Sequence, residues 1–283
     1  MLLKAATVVA VIALVAVGYF LWSHRRAIDE AESAWATIAA AAQQQAGAAV
    51  FDPAMVADLP EVAQRYFLHA IAPGTPLRTT VTLRMEGQFL LGDRDSNQPY
   101  AMVARQILAP PDAFVWLPVM RSGVLTITGS DGSLDGKAWM QFWINSLVPV
   151  VNAQSTPDLV RSAQFRSAME SIWVPAALLP RDGIAWQAGA ADKAIVTIST
   201  FENPIVLELT LDETGALTEV VGMRWSDANP EKTFRLQPFG GTIEAERAFE
   251  GYTIPTMVKV GNLFGTDGFL PFFQAEIVEA KYL

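Results

Sequence analysis

The chain contains no cysteine, which excludes a disulfide, a thiolate nucleophile and a cysteine-ligated metal. Histidine is almost as scarce, with only His24 and His69 in 283 residues. Two are too few for a histidine zinc cluster, and a Ser-His-Asp triad would depend on His69 alone, because His24 borders an apolar span. No GxSxG elbow, P-loop or GxGxxG fingerprint occurs. Basic residues are also few, 20 Lys and Arg against 29 Asp and Glu, for a net charge of −9. No stretch gathers lysine and arginine into a face that could neutralise phosphates, so nucleic acid is not an expected partner. Neither a metal nor a cofactor is expected.

Hydrophobic residues are abundant, at 51% of the chain. Ala5 to Trp22 carries no charge, and at about 1.5 Å per residue such a helix matches a bilayer's hydrocarbon core. Tyr19, Phe20 and Trp22 gather at its end, followed by Arg25 and Arg26, as at a membrane interface. A cleaved signal would be shorter and end in small residues, but the nearest Ala-x-Ala here is Ala34 to Ala36, beyond several charges. The segment reads as an uncleaved anchor, with residues 5–22 in the membrane. Positive charges on its two sides do not decide its orientation. Three basic and three acidic residues precede Ser33, so the whole acidic excess lies beyond it.

Three regions follow: an anchor over 1–28, an Ala/Gln-rich helical linker over 29–51, and a single β-rich body over 52–283. The body opens with DLPEVAQRYFLHAI, where Asp58 is an expected N-cap with Glu61 three residues on. Val62, Tyr66 and Ala70, and Ala63, Phe67 and Ile71, form its apolar rows. Glu61, Arg65 and His69 make a neighbouring polar row. The period then changes to two, as in Val81, Leu83 and Met85 or Ile205, Leu207, Leu209 and Leu211. Polar stretches at 92–97 (GDRDSN), 130–136 (SDGSLDG) and 212–215 (DETG) read as hairpin turns, giving about eleven strands. One helix interrupts them, with Thr156 as cap, Pro157 in the first turn and Glu170 in the last turn before Trp173 and Pro175 end it.

Leu59, Pro60, Arg65, Tyr66 and Phe67 form an LP-x-x-x-x-RYF segment, and Glu170, Trp173, Pro175, Leu178 and Leu179 form E-x-x-W-x-P-x-x-LL. On these segments the body resembles a bacterial family of membrane-anchored proteins whose biochemical function is unassigned. The order of helix, hairpin strands, helical insertion and the late strands LELTLDETGALTEV and FEGYTIPTMVKV is similar to periplasmic lipoprotein carriers of the LolA/LolB type. That resemblance implies a curled antiparallel sheet, a half-barrel around an apolar cavity with helical covers, lying outside the cytoplasm.

The expected fold is therefore mainly β with helical covers, and the expected ligand is a lipid, acyl chain or lipoprotein. Trp116, Trp139, Trp143, Trp173, Trp186 and Trp225 are candidate cavity walls, although aromatic residues fill ordinary cores equally well. Two alternatives stand beside this one: an interaction module with a filled core, and a hydrolase using Glu170 or His69. No enzyme activity is expected. A carboxylate at a helix C-terminus opposes the dipole, so Glu170 calls for a cation, and Arg65 is the expected partner.

Overall fold

The computed structural model describes residues 2–92 and 97–283, so most of the turn expected at 92–97 lies outside the described residues. It begins with α1 (Leu2–Gln45), a single helix of 44 residues, or about 66 Å at the usual rise. Its first half is long and apolar enough to cross a membrane and stands clear of the rest of the protein. The second half does not hang as a free linker. Ala27, Ala31, Ile38 and Ala42 are buried at helical spacings of four and seven, placing them on one face. Small alanines let that face lie close to a sheet, against Ile107, Ala113, Val115 and Leu117.

That sheet has thirteen antiparallel strands in one continuous series. In chain order they are β1 (Val81–Leu91), β2 (Gln98–Ala109), β3 (Ala113–Ser122), β4 (Leu125–Leu134), β5 (Lys137–Ile144), β6 (Val148–Gln154) and β7 (Ile184–Ala188). After these come β8 (Lys193–Ile198), β9 (Ile205–Leu211), β10 (Leu217–Ser226), β11 (Arg235–Phe249), β12 (Tyr252–Asn262) and β13 (Leu270–Tyr282). The spatial order runs from β6 back to β1, then from β13 back to β7. Hairpins build each half, and the pairing of β1 with β13 joins the two. The sheet stays open, with β6 and β7 at its edges, and curls into a half-barrel.

The strand number exceeds the expected eleven because some strands carry little period-two signal. Edge strand β6 includes Pro149, tolerated where one side of the ladder is unpaired, and most of its residues are exposed. The stretch 130–136 is not a turn through its whole length, since Ser130 to Leu134 belong to β4 and only Asp135 and Gly136 turn the chain. Glycine in that strand answers packing: a Cβ at Gly132 would lie 2.2 Å from Trp139 Cζ2.

Two helices cover the concave face. α2 (Glu61–Ala70) buries Val62, Ala63, Tyr66, Phe67 and Ala70, as its rows require. Its N-cap is Pro60 rather than Asp58, with no side-chain cap bond. A left-handed Gly215 (φ +92°) turns the chain under α2, where a Cβ would meet the Arg65 carbonyl oxygen at 2.5 Å. α3 (Pro157–Met169) is capped as its sequence demands, the Leu159 N–H donating to Thr156 Oγ1 at 3.2 Å. Short 3-10 helices over Glu170–Trp173 and Pro175–Leu178 continue it. α3 touches β4 and β5 on one arm of the sheet and β9 and β10 on the other, so it straps the curl.

Candidate functional site

Beneath that strap the concave face does not close completely. A cavity of about 260 Å³ remains between α3, the following 3-10 turn and the strands of both arms. Phe89, Trp116, Phe142, Phe272 and Phe273 supply much of its wall. These rings pack edge-on or tilted, with Trp116 centred 5.9 Å from Phe89, 6.2 Å from Phe142 and 6.3 Å from Phe273. Such spacing is favourable for aromatic quadrupoles and keeps the wall continuous.

The six tryptophans divide between several places. Trp116 and Trp173 line the cavity, Trp173 fixed by donating Nε1–H to the Pro255 carbonyl at 3.1 Å. The other four stand elsewhere. Trp139 packs with α1 on the outer face and donates to Ser130 Oγ at 3.0 Å. Trp143 meets the His24 ring at 5.2 Å where α1 reaches the sheet. Trp186 lies under α2 against Phe67, centroids 5.2 Å apart, and donates to the Leu178 carbonyl. Trp225 holds the start of α3, donating to Asp158 Oδ1 at 2.7 Å beneath the Arg161 guanidinium.

The polar part of the cavity is a cluster of four charged side chains: Asp131, Arg166, Glu170 and Arg224. Arg166 Nε donates to Glu170 Oε1 at 2.8 Å, and Arg166 Nη1 bonds Asp131. Glu170 accepts a second bond from Gln106 Nε2 at 2.6 Å. Burial alone would lower the Arg166 pKa, but the two carboxylates outweigh it and raise it. The guanidinium also lies 4.6 Å from the Phe114 ring centre and 5.2 Å from that of Trp116.

The expected pair of Arg65 with Glu170 is therefore corrected. Glu170 caps α3 and takes its cation from the same helix, since Arg166 is four residues earlier and on the same face. Arg65 instead bonds Asp192 at 3.0 Å and the Asp212 carbonyl at 3.4 Å, tying α2 to neighbouring strand ends. His69 is apart from both, with its Nε2 at 2.6 Å from Glu246 Oε1 on β11.

Asp131, Arg166, Arg224 and Gln106 escape a reading of the sequence. The spacing of Arg166 and Glu170 was the available signal. Asp131 was hidden because flanking glycine and serine imitate a turn. Among the described residues there is no group of three or more His, Cys, Asp or Glu that could hold a metal ion.

No curated protein matches the chain. Among solved structures, a LolA superfamily protein from Nitrosomonas europaea is similar with a TM-score of 0.40 and 7% identity, over 78% of this chain and 92% of that one. A domain from Vibrio parahaemolyticus, provisionally named an outer membrane lipoprotein-sorting protein domain, gives a TM-score of 0.37 and 10% identity, over 72% and 85%. A family described as of unknown function, DUF6544, matches residues 49–275, and the chain belongs to that family.

Proposed function

We propose that the protein is a membrane-anchored binding protein, not an enzyme, that holds a lipid or acyl chain in the half-barrel cavity. The observation that carries this reading is the cavity itself, about 260 Å³ with walls that are almost wholly aromatic and aliphatic. A module with a filled core would leave no such space, because interiors otherwise pack to crystal-like density. The hydrolase alternative gains nothing from the geometry. Glu170 is occupied by Arg166 and Gln106, while His69 faces Glu246 on a different element.

Position supports the same reading. Leu91 ends β1, Leu125 begins β4, Val148 begins β6 and Leu270 begins β13, so these four lie along one rim of an antiparallel sheet. The cavity residues Phe89, Leu91, Val150 and Phe272 lie at or beside that rim. His24, two residues past the end of the apolar span, bonds Thr128 Oγ1 at 3.0 Å near the same rim. With residues 5–22 in a bilayer, the cavity opens on the side from which a lipid would come; we propose in addition that the body stands outside the cytoplasm.

Extraction of the full-length chain in a detergent without acyl chains, followed by mass spectrometry of the organic extract, tests the proposal. A near-stoichiometric lipid or fatty acid is expected with the native chain and not with Val260→Trp, which fills the cavity from β12. Equal amounts in both, with circular dichroism showing both folded, would overturn it.

A further inference from the structure

Charge in the cavity is shared unevenly. Arg166 engages both carboxylates, Asp131 and Glu170. Arg224 on β10 engages neither, and among the described residues no carboxylate lies within ion-pair distance of it. Its Nε donates to Ser162 Oγ on α3 at 3.1 Å, and its guanidinium carbon lies 4.8 Å from the centre of the Phe239 ring. No partner for its two Nη groups is found among the described residues. Burial, and after it the nearby Arg166, push its pKa down to about 10. It is still charged at neutral pH, in a place that disfavours the charge. Trp116 in the cavity wall, 4% exposed, also buries its Nε1–H without an acceptor, but that atom has no accessible surface and does not face the cavity. The Arg224 side chain is partly buried, so its unpaired N–H groups remain open to the cavity, and a ligand there can supply the missing acceptor.

We propose that Arg224 seats the anionic head of a single-chain amphiphile whose tail fills the aromatic cavity. The proposal rests on the reading of this cavity as a lipid site and narrows its ligand class. A guanidinium offers parallel N–H donors that match the oxygens of a carboxylate or a phosphate monoester. At about 30 Å³ for a water-sized group, and a methylene is of similar size, 260 Å³ accommodates one chain of roughly eight or nine carbons. Two or three chains exceed it. Tail and head together satisfy what the cavity leaves open, the apolar space and the unpaired cation.

The test is equilibrium dialysis of the full-length chain in lipid nanodiscs against labelled decanoate, decyl phosphate and decanol, with empty discs subtracted. Mildly alkaline buffer keeps the carboxyl ionised. One of the two anions is expected to bind about tenfold or more tightly than decanol, as a charge-assisted hydrogen bond requires, and which one leads identifies the head. In Arg224→Gln the ratio of anion to alcohol should fall close to one. If that variant does not fold, the native ratio decides by itself. Native protein that binds decanol as tightly as both anions overturns the head-group site while leaving the cavity reading intact. Binding of none of the three above empty discs, or undiminished binding of all three by Val260→Trp, removes the cavity reading and the head-group site with it.

Discussion

Arg166 keeps only 15% of its side chain exposed between Asp131 at 10% and Glu170 at 15%. Breaking a buried ionic cluster from one side strands the opposite charges, and here two carboxylates would be stranded together. Arg166→Met should therefore destabilise the protein by about 3–5 kcal/mol, whereas Arg65→Met, at a site whose partner Asp192 is 56% exposed, should cost about 0–1 kcal/mol. In double-mutant cycles with Glu170→Gln, Arg166 should couple by about 0.5–3 kcal/mol while Arg65 adds independently. Chemical denaturation of the three single and two double variants measures both. A coupling that appears with Arg65 and not with Arg166 would contradict the observed pairing.

At the scale of the element, α3 connects sequence to cavity most directly. Its cap, Thr156, sets where the helix begins and so which residues, Arg166 and Met169 among them, face the cavity. Thr156→Ala should lower stability by about 0.5–2 kcal/mol with an unchanged denaturant slope, since one cap bond is lost and no extra surface is exposed. A changed slope would mean that the strap detaches as a unit. This helix was legible in the sequence because capping is local: threonine, proline and aspartate in successive positions specify a start without reference to the rest of the chain. So were the apolar rows of α2 and strands such as β9, where alternation follows from one buried face. The contacts of Glu170 with Gln106 and of Arg65 with Asp192 were not, because those partners lie 64 and 127 residues away along the chain, whereas Arg166, four residues before Glu170, was within reach of a helical reading. Asp131 was misread for a different reason. Glycine and serine there make room for Trp139 rather than a turn, and only the packed neighbour distinguishes the two.

For the whole molecule, the proposed orientation makes a topological prediction. Alkaline phosphatase fused after Leu283 should be active and a reporter that works only in the cytoplasm should be silent; the reverse result would place the cavity on the wrong side of the membrane for the proposed role. The acidic excess beyond Ser33 would keep the body from lying flat on anionic headgroups, leaving α1 to set its height. That helix runs without interruption from the apolar span onto the outer face of the sheet, where Glu32 bonds Arg105 and Arg78 Nη1 reaches the Gly47 carbonyl just past its end. A loose tether would be a leash, allowing its load to roam and reach a distant surface. α1 is instead a mast built into the hull. With residues 5–22 in a bilayer, as proposed, it would hold the body upright over its own patch of membrane, and cargo bound for any other membrane would have to be collected by something that moves.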